Sequence, residues 1–124
     1  MPLPINETYF GFNLRQSHTN ANVLLAATSS GIYRTNNGGS SWTNVVSDLC
    51  YDIEFRPGSG TIVYATTYST IFDESRFRKS IDGGVTWDII DAFNINYTLV
   101  RNSERIEIAV SPANNDAVYI LTGN

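Results

Sequence analysis

Short apolar and β-branched runs alternate with turn-forming clusters along the whole chain, and no stretch sustains the three-to-four-residue spacing of a helix. The runs predict strands at about Phe12–Arg15, Asn22–Ala27, Gly31–Thr35 and Ser41–Val46. A second series follows at about Tyr51–Phe55, Thr61–Thr67, Phe77–Ser80 and Thr86–Ile90. Leu24-Leu25-Ala26-Ala27 is apolar on both faces, as inner strands between two neighbouring sheets are. Asp91 to Arg105 reads as a long connection with one short strand, Tyr97–Val100.

The pattern repeats. Thr35-Asn36-Asn37-Gly38-Gly39-Ser40-Ser41-Trp42 matches Ser80-Ile81-Asp82-Gly83-Gly84-Val85-Thr86-Trp87 position by position, 45 residues later. Upstream, Val23–Thr28 matches Ile62–Thr67 at an offset of 39, which places a six-residue insertion within Tyr68–Phe77. A third copy, Ala117–Thr122, lies 55 residues beyond the second, and Ile108–Pro112 matches Ile53–Pro57 at that same offset. A period near 45 residues suits a unit of four short antiparallel strands. The expected organisation is one domain over 1–124, with repeat 1 at about 10–47, repeat 2 at about 50–92 and a partial repeat 3 at about 105–122.

Each residue of the repeated octapeptide has a structural task. Asn37 or Asp82 can accept hydrogen bonds from N–H groups further along the turn, and Gly38-Gly39 or Gly83-Gly84 permit positive φ. The hydroxyl of Thr35 or Ser80 can bond across the hairpin, and Trp42 or Trp87 carries a large apolar surface into a seam. The octapeptides resemble the Asp-box, or bacterial neuraminidase repeat, of sialidases, sortilin-type receptors, xyloglucan-cleaving glycosidases and photosystem assembly factors. Gly31-Ile32-Tyr33-Arg34-Thr35 is similar to that family's third strand, and the resemblance covers about residues 10–122. It implies an all-β fold: a partial β-propeller of two four-stranded antiparallel blades plus the first strands of a third. It implies no particular chemistry, because the fold hosts many.

Composition narrows the function. The net charge is −4 and the eight Lys and Arg form no positive stripe, which argues against nucleic acid. No apolar run approaches a membrane span, and Met1–Phe10 lacks the features of a signal peptide. The single Cys50 reads as a buried structural thiol, and no cofactor or metal site is expected. His18 lies in a polar turn without a motif around it. Asn6-Glu7-Thr8 and Asn96-Tyr97-Thr98 fit the glycosylation acceptor pattern, which is frequent by chance.

Three segments are weighed for chemistry. Phe55-Arg56-Pro57 faintly resembles a sialidase arginine motif, but the internal repeat explains it as the turn after a first strand. Asp52 and Glu54 sit two apart on a predicted strand, at a separation a glycosidase pair could use, so they are the weak catalytic candidates. The insertion, with Asp73, Glu74, Arg76 and Arg78, is expected to be a surface loop suited to binding.

Two blades and a fraction cannot close a ring. The expected partners are therefore the remaining blades of a longer protein or other copies of the chain; a truncated gene model is the third explanation. The expected role is a non-catalytic binding or scaffolding module of a secreted or cell-surface bacterial protein, with a protein or carbohydrate ligand. The alternatives are a glycoside hydrolase segment, sialidase-like or xyloglucanase-like, and an assembly factor for a membrane complex.

Overall fold

The computed structural model describes residues 11–90, 105–111 and 114–123. Ten strands follow one another: β1 (Gly11–Gln16), β2 (Leu24–Thr28), β3 (Gly31–Thr35), β4 (Thr43–Val46), β5 (Leu49–Phe55), β6 (Val63–Ser69), β7 (Glu74–Ser80), β8 (Asp88–Ile89), β9 (Arg105–Ser111) and β10 (Asn114–Gly123). They form two four-stranded antiparallel meanders, β1-β2-β3-β4 and β5-β6-β7-β8, and a two-stranded sheet of β9 and β10. The strand expected at Tyr97–Val100 lies outside the described residues.

Two apolar layers hold the three sheets face to face. The first joins Leu25, Ala27, Ile32 and Val46 of sheet one to Cys50, Ile53, Phe55, Val63 and Ala65 of sheet two, with Trp87 packed alongside. The second joins Tyr64 and Phe77 of sheet two to Ile108, with Val110 and Val118 beside it. Along β6, Val63 and Ala65 therefore face one neighbour while Tyr64 faces the other. This double burial is why the strand lacks polar alternation.

A bulge in β5 aims the site. The register with β6 slips between Cys50 and Asp52, so Tyr51 has no opposite number. Cys50 and Ile53, three apart, consequently both reach the first apolar layer. Asp52 and Glu54 project from the other face.

The insertion differs from expectation. β6 and β7 pair without interruption from Val63↔Ser80 to Ser69↔Glu74, so β7 begins at Glu74 rather than Phe77. The extra residues lengthen a hairpin and leave only 70–73 as its turn. Its inward side chains explain why pairing wins: Ser75 and Phe77 are buried.

Candidate functional site: a polar cleft across the inner strands

The first strand of each sheet contributes to one polar cleft of about 290 Å³, lined by Asn13, Arg15, Tyr51, Asp52, Glu54, Glu107 and Ile108. β1, β5 and β9 lie side by side there, and the register aligns them. Arg15, Glu54 and Ala109 each pair with the equivalent residue of the second strand: Leu25, Tyr64 and Tyr119. Asn13, Asp52 and Glu107 thus occupy one repeated position, and Arg15, Glu54 and Ala109 another.

Asp52 is the centre of the cleft. Its Oδ1 accepts from Asn13 Nδ2 at 2.7 Å and from the Ile53 backbone N–H at 2.9 Å. Its Oδ2 accepts from the Ile108 backbone N–H at 2.9 Å. One carboxylate, 8% exposed, therefore touches all three sheets. Every partner is a donor, so all three contacts end on acceptor oxygens. Glu54 is engaged differently. Arg15 grips it with two guanidinium nitrogens, Nε to Oε2 at 3.2 Å and NH2 to Oε1 at 2.9 Å. That hydrogen bond raises the Arg15 pKa above its usual value, against the opposing effect of partial burial.

Asp52 and Glu54 are thus brought together in one cleft, as weighed for a carboxylate pair, but both have their oxygens occupied by protein donors. A general acid or nucleophile needs a carboxylate free to hold a proton or to reach a substrate atom. Asp52 as it stands has the geometry of a fastener. Beside it, burial pushes the Cys50 thiol well above its usual pKa, and Cys50 Sγ donates to the Asp52 carbonyl oxygen at 3.3 Å. That thiol is inert in this setting.

The long hairpin does not present its charges as a loop would. Arg76 and Arg78 both reach Asp48, at 3.3 and 2.8 Å, and lie mostly buried on β7. Arg76 also contacts Glu74 at 3.2 Å, and Arg78 donates to Thr67 Oγ1 at 2.9 Å. At the tip, Asp73 accepts from the Tyr68 hydroxyl. Of the segment expected to form a surface loop, Asp73 lies in the turn, whereas Glu74, Arg76 and Arg78 lie on β7 and their charges are paired within the hairpin and with Asp48. Beside the exposed Thr70 and Asp73, the tip presents two large apolar side chains, Ile71 and Phe72, with the Arg76 guanidinium 4.9 Å from the centre of the Phe72 ring.

At the opposite end of the sheets sit the two Gly-Gly turns. Ser80 Oγ donates to Asp82 Oδ1 at 2.8 Å, and that oxygen also accepts from the N–H groups of Val85 and Thr86. Thr35 Oγ1 and the Ser41 N–H bond Asn37 Oδ1 in the same way, at 2.8 and 3.0 Å. The polarity reverses at the last contact. The Thr86 hydroxyl donates to Asp82 Oδ2, whereas Asn37 Nδ2 donates to Ser41 Oγ. Burial is the largest single influence on Asp82 and opposes its ionisation, but the hydrogen bonds from the Thr86 hydroxyl and N–H, Ser80 and Val85 together outweigh it and lower its pKa to about 2. Each turn also ties to its own sheet, with Gly38 N–H on the Asn22 carbonyl and Gly83 N–H on the Thr61 carbonyl.

The second turn grips the neighbouring sheet too. Arg34 Nε donates to the Gly83 carbonyl at 2.9 Å, and a Cβ at Gly84 would lie 2.7 Å from Leu25 Cδ2. Trp87 Nε1 donates to the Gly84 carbonyl at 2.9 Å. The matching Trp42 Nε1 is buried without a partner among the described residues.

The partners Asn13, Arg15 and Asp48 were not singled out from the sequence. A signal for the first two existed: the 39-residue offset found for the second strands maps Asn13 onto Asp52 and Arg15 onto Glu54.

No family model matches the chain, and no curated protein matches it. Among solved structures it is similar to an ancestral GH74 enzyme, with a TM-score of 0.67 and 21% identity over 89% of this chain. The chain spans 16% of that enzyme's length. The likeness, with the successive antiparallel sheets packed face to face, defines the class: this is an all-β protein with the architecture of a partial β-propeller.

Proposed function

We propose that this chain is a scaffolding section of a larger secreted or cell-surface β-propeller, in which the inner-strand carboxylates fasten sheet to sheet rather than catalyse. The observation that carries this reading is Asp52, whose carboxylate is taken up by three N–H donors from three sheets. The Gly-Gly turns support it, because both side-chain polar atoms of Asp82 and of Asn37 are committed to closing the turn. In this reading they act as Asp-boxes in the structural sense. Ligand recognition, protein or carbohydrate, then falls to exposed hairpin tips such as Ile71-Phe72.

A second reading is favoured by the likeness to an ancestral GH74 enzyme: the chain is a section of a glycoside hydrolase, with its catalytic groups on other blades. Incubation of the protein with β-glucans and sialosides, scored by reducing-sugar and sialic-acid release, tests whether Asp52 serves as a catalytic group rather than a fastener. The scaffold reading expects no turnover from this chain. Turnover that Asp52→Asn abolishes while the variant stays folded would overturn it.

A further inference from the structure

The outer half of the repeat is not copied faithfully. At the 45-residue offset, Arg34, Asn37 and Thr43 of the first unit stand where Lys79, Asp82 and Asp88 stand in the second. The second unit thus sets one cation among two carboxylates, and the first sets one cation among none. The pairing register is the same in both. Thr43 lies opposite Arg34 across β3 and β4, and Asp88 lies opposite Lys79 across β7 and β8. The exchange at Asn37 also redirects a hydroxyl. In the second turn the Thr86 hydroxyl hydrogen is spent on Asp82 Oδ2. In the first, the Ser41 N–H fixes Oδ1 of Asn37, so Nδ2 faces Ser41 Oγ and donates to it at 2.8 Å. Ser41 Oγ is the acceptor of that bond, which leaves its own hydrogen available to donate.

These groups meet in a depression of about 150 Å³ at the seam between sheets one and two, lined by Arg34, Asn36, Ser41, Thr43, Val45 and Val85. Both sheets build its walls, since Val85 comes from the second Gly-Gly turn and the other five from β3, β4 and the turn between them. Arg34 is held in place through Nε alone, on the Gly83 carbonyl. Its two terminal nitrogens have no partner among the described residues. They form the edge of the guanidinium that matches two oxygens of a carboxylate or of a sulfate. The Asn36 amide and the Ser41 and Thr43 hydroxyls add further donors, and no lining residue is acidic. Asp82, in the same turn as Val85, has both carboxylate oxygens bonded within that turn. We infer that this seam is an oxyanion site, which takes the carboxylate or sulfate group of a ligand on Arg34, Ser41 and Thr43. The inference goes beyond the scaffold reading and holds equally for a section of a hydrolase.

The experiment is a heteronuclear NMR titration of the nitrogen-labelled full chain with sodium sulfate and, separately, with sodium acetate. Ionic strength is held constant with sodium chloride, and chloride alone is the control. Saturable shifts of the Arg34 side-chain N–H and of the Ser41 and Thr43 amides are expected with at least one of the two anions. The sulfate arm reads a tetrahedral oxyanion and the acetate arm a planar carboxylate, so the two arms distinguish the kind of ligand group. Thr43→Asp and Asn37→Asp each copy the second unit, which keeps the turn and the strand pairing. Each is expected to weaken the affinity about tenfold or more, the scale of one charge-assisted hydrogen bond. Arg34→Gln is expected to lose the saturable shifts, and Lys79→Gln, at the equivalent place in the second unit, to leave them unchanged. Shifts absent with both anions, shifts that never saturate, or shifts that chloride reproduces would overturn the inference. So would an affinity unchanged in Arg34→Gln or in Thr43→Asp. Glycan turnover lost in Asp52→Asn removes the scaffold reading alone and leaves the anion titration as it is.

Discussion

Asp52→Asn separates a fastener from a catalytic carboxylate because the two roles predict opposite signs for stability. The wild-type group accepts three hydrogen bonds and donates none. Asparagine can keep the two that reach Oδ1, from Asn13 and Ile53. Its Nδ2 must then replace Oδ2 opposite the Ile108 N–H, and two donors face each other in a buried place. A hydrogen bond to a charged group contributes about 1.5–3 kcal/mol, and an orphaned buried donor costs about 1–3 kcal/mol. The expected loss for Asp52→Asn is about 2–3 kcal/mol. Asp52→Ala strands all three donors at once, and its expected loss is about 3–5 kcal/mol, the scale of breaking a buried charge pair. With a urea m-value of about 1–3 kcal/mol/M, the Asn variant shifts the unfolding midpoint down by about 1 M or more. Catalytic carboxylates behave otherwise: they are held against the preference of the fold, and neutralising them leaves stability unchanged or raises it. A midpoint for Asp52→Asn at or above that of wild type refutes the fastener argument.

Gly84→Ala is expected to cost about 2–4 kcal/mol in the same assay, from a backbone at φ +92° and a Cβ driven against Leu25. Gly58→Ala, at φ +74° with open space around it, is the control and should cost only about 1–2 kcal/mol. The Asp82 pKa is lowered in the fold from 3.8 to about 2, so its stabilising contribution is complete above pH 4 and lost as pH falls towards 2. Thermal melts between pH 2 and 5 should show a shallower slope for Asp82→Asn than for wild type; an identical slope disproves the assignment. Arg15→Ala is expected to change stability by less than about 1 kcal/mol, because the Arg15 side chain is 42% exposed. That small difference should shrink further at high salt, and a loss above about 2 kcal/mol contradicts the solvent-screened reading.

The fold was legible because its signals are local. Gly-Gly turns followed by Trp, and apolar runs with turn residues between them, mark hairpins without reference to anything distant, and the strands β3 and β9-β10 fall close to where those signals put them. The misplaced boundary of β7 has a physical reason. Glu74-Ser75-Arg76 reads as polar loop, and what makes it strand is pairing with Thr67–Ser69 plus the capture of Arg76 and Arg78 by Asp48, some 28 and 30 residues away. The inner cleft was legible only in part. Asp52 and Glu54 stood out as carboxylates, but whether a carboxylate is free or clamped depends on which side chains the neighbouring sheets bring, and a single-strand reading cannot supply them.

The repeat itself explains why neighbouring sheets had to diverge there. If sheet one carried the inner strand of sheet two, Asp would face Asp across a gap where Asn13 Nδ2 and Asp52 Oδ1 lie 2.7 Å apart. Two carboxylates at that distance cannot both ionise. Likewise Arg15 opposite a second arginine would repel where it now binds Glu54. The sequence therefore keeps its repeat where sheets pack through apolar layers, which tolerate like against like, and breaks it where polar groups meet, which demands donor against acceptor. At the next junction the break takes another form. Ala109 replaces the second charged position, and the backbone N–H of Ile108 supplies the donor for Asp52. A backbone donor is insensitive to side-chain identity, so sheet three is free to vary its inner-strand residues while Asp52 stays satisfied. Divergence at the polar positions and constancy at the turns thus follow from one requirement: complementary contacts between units descended from the same pattern.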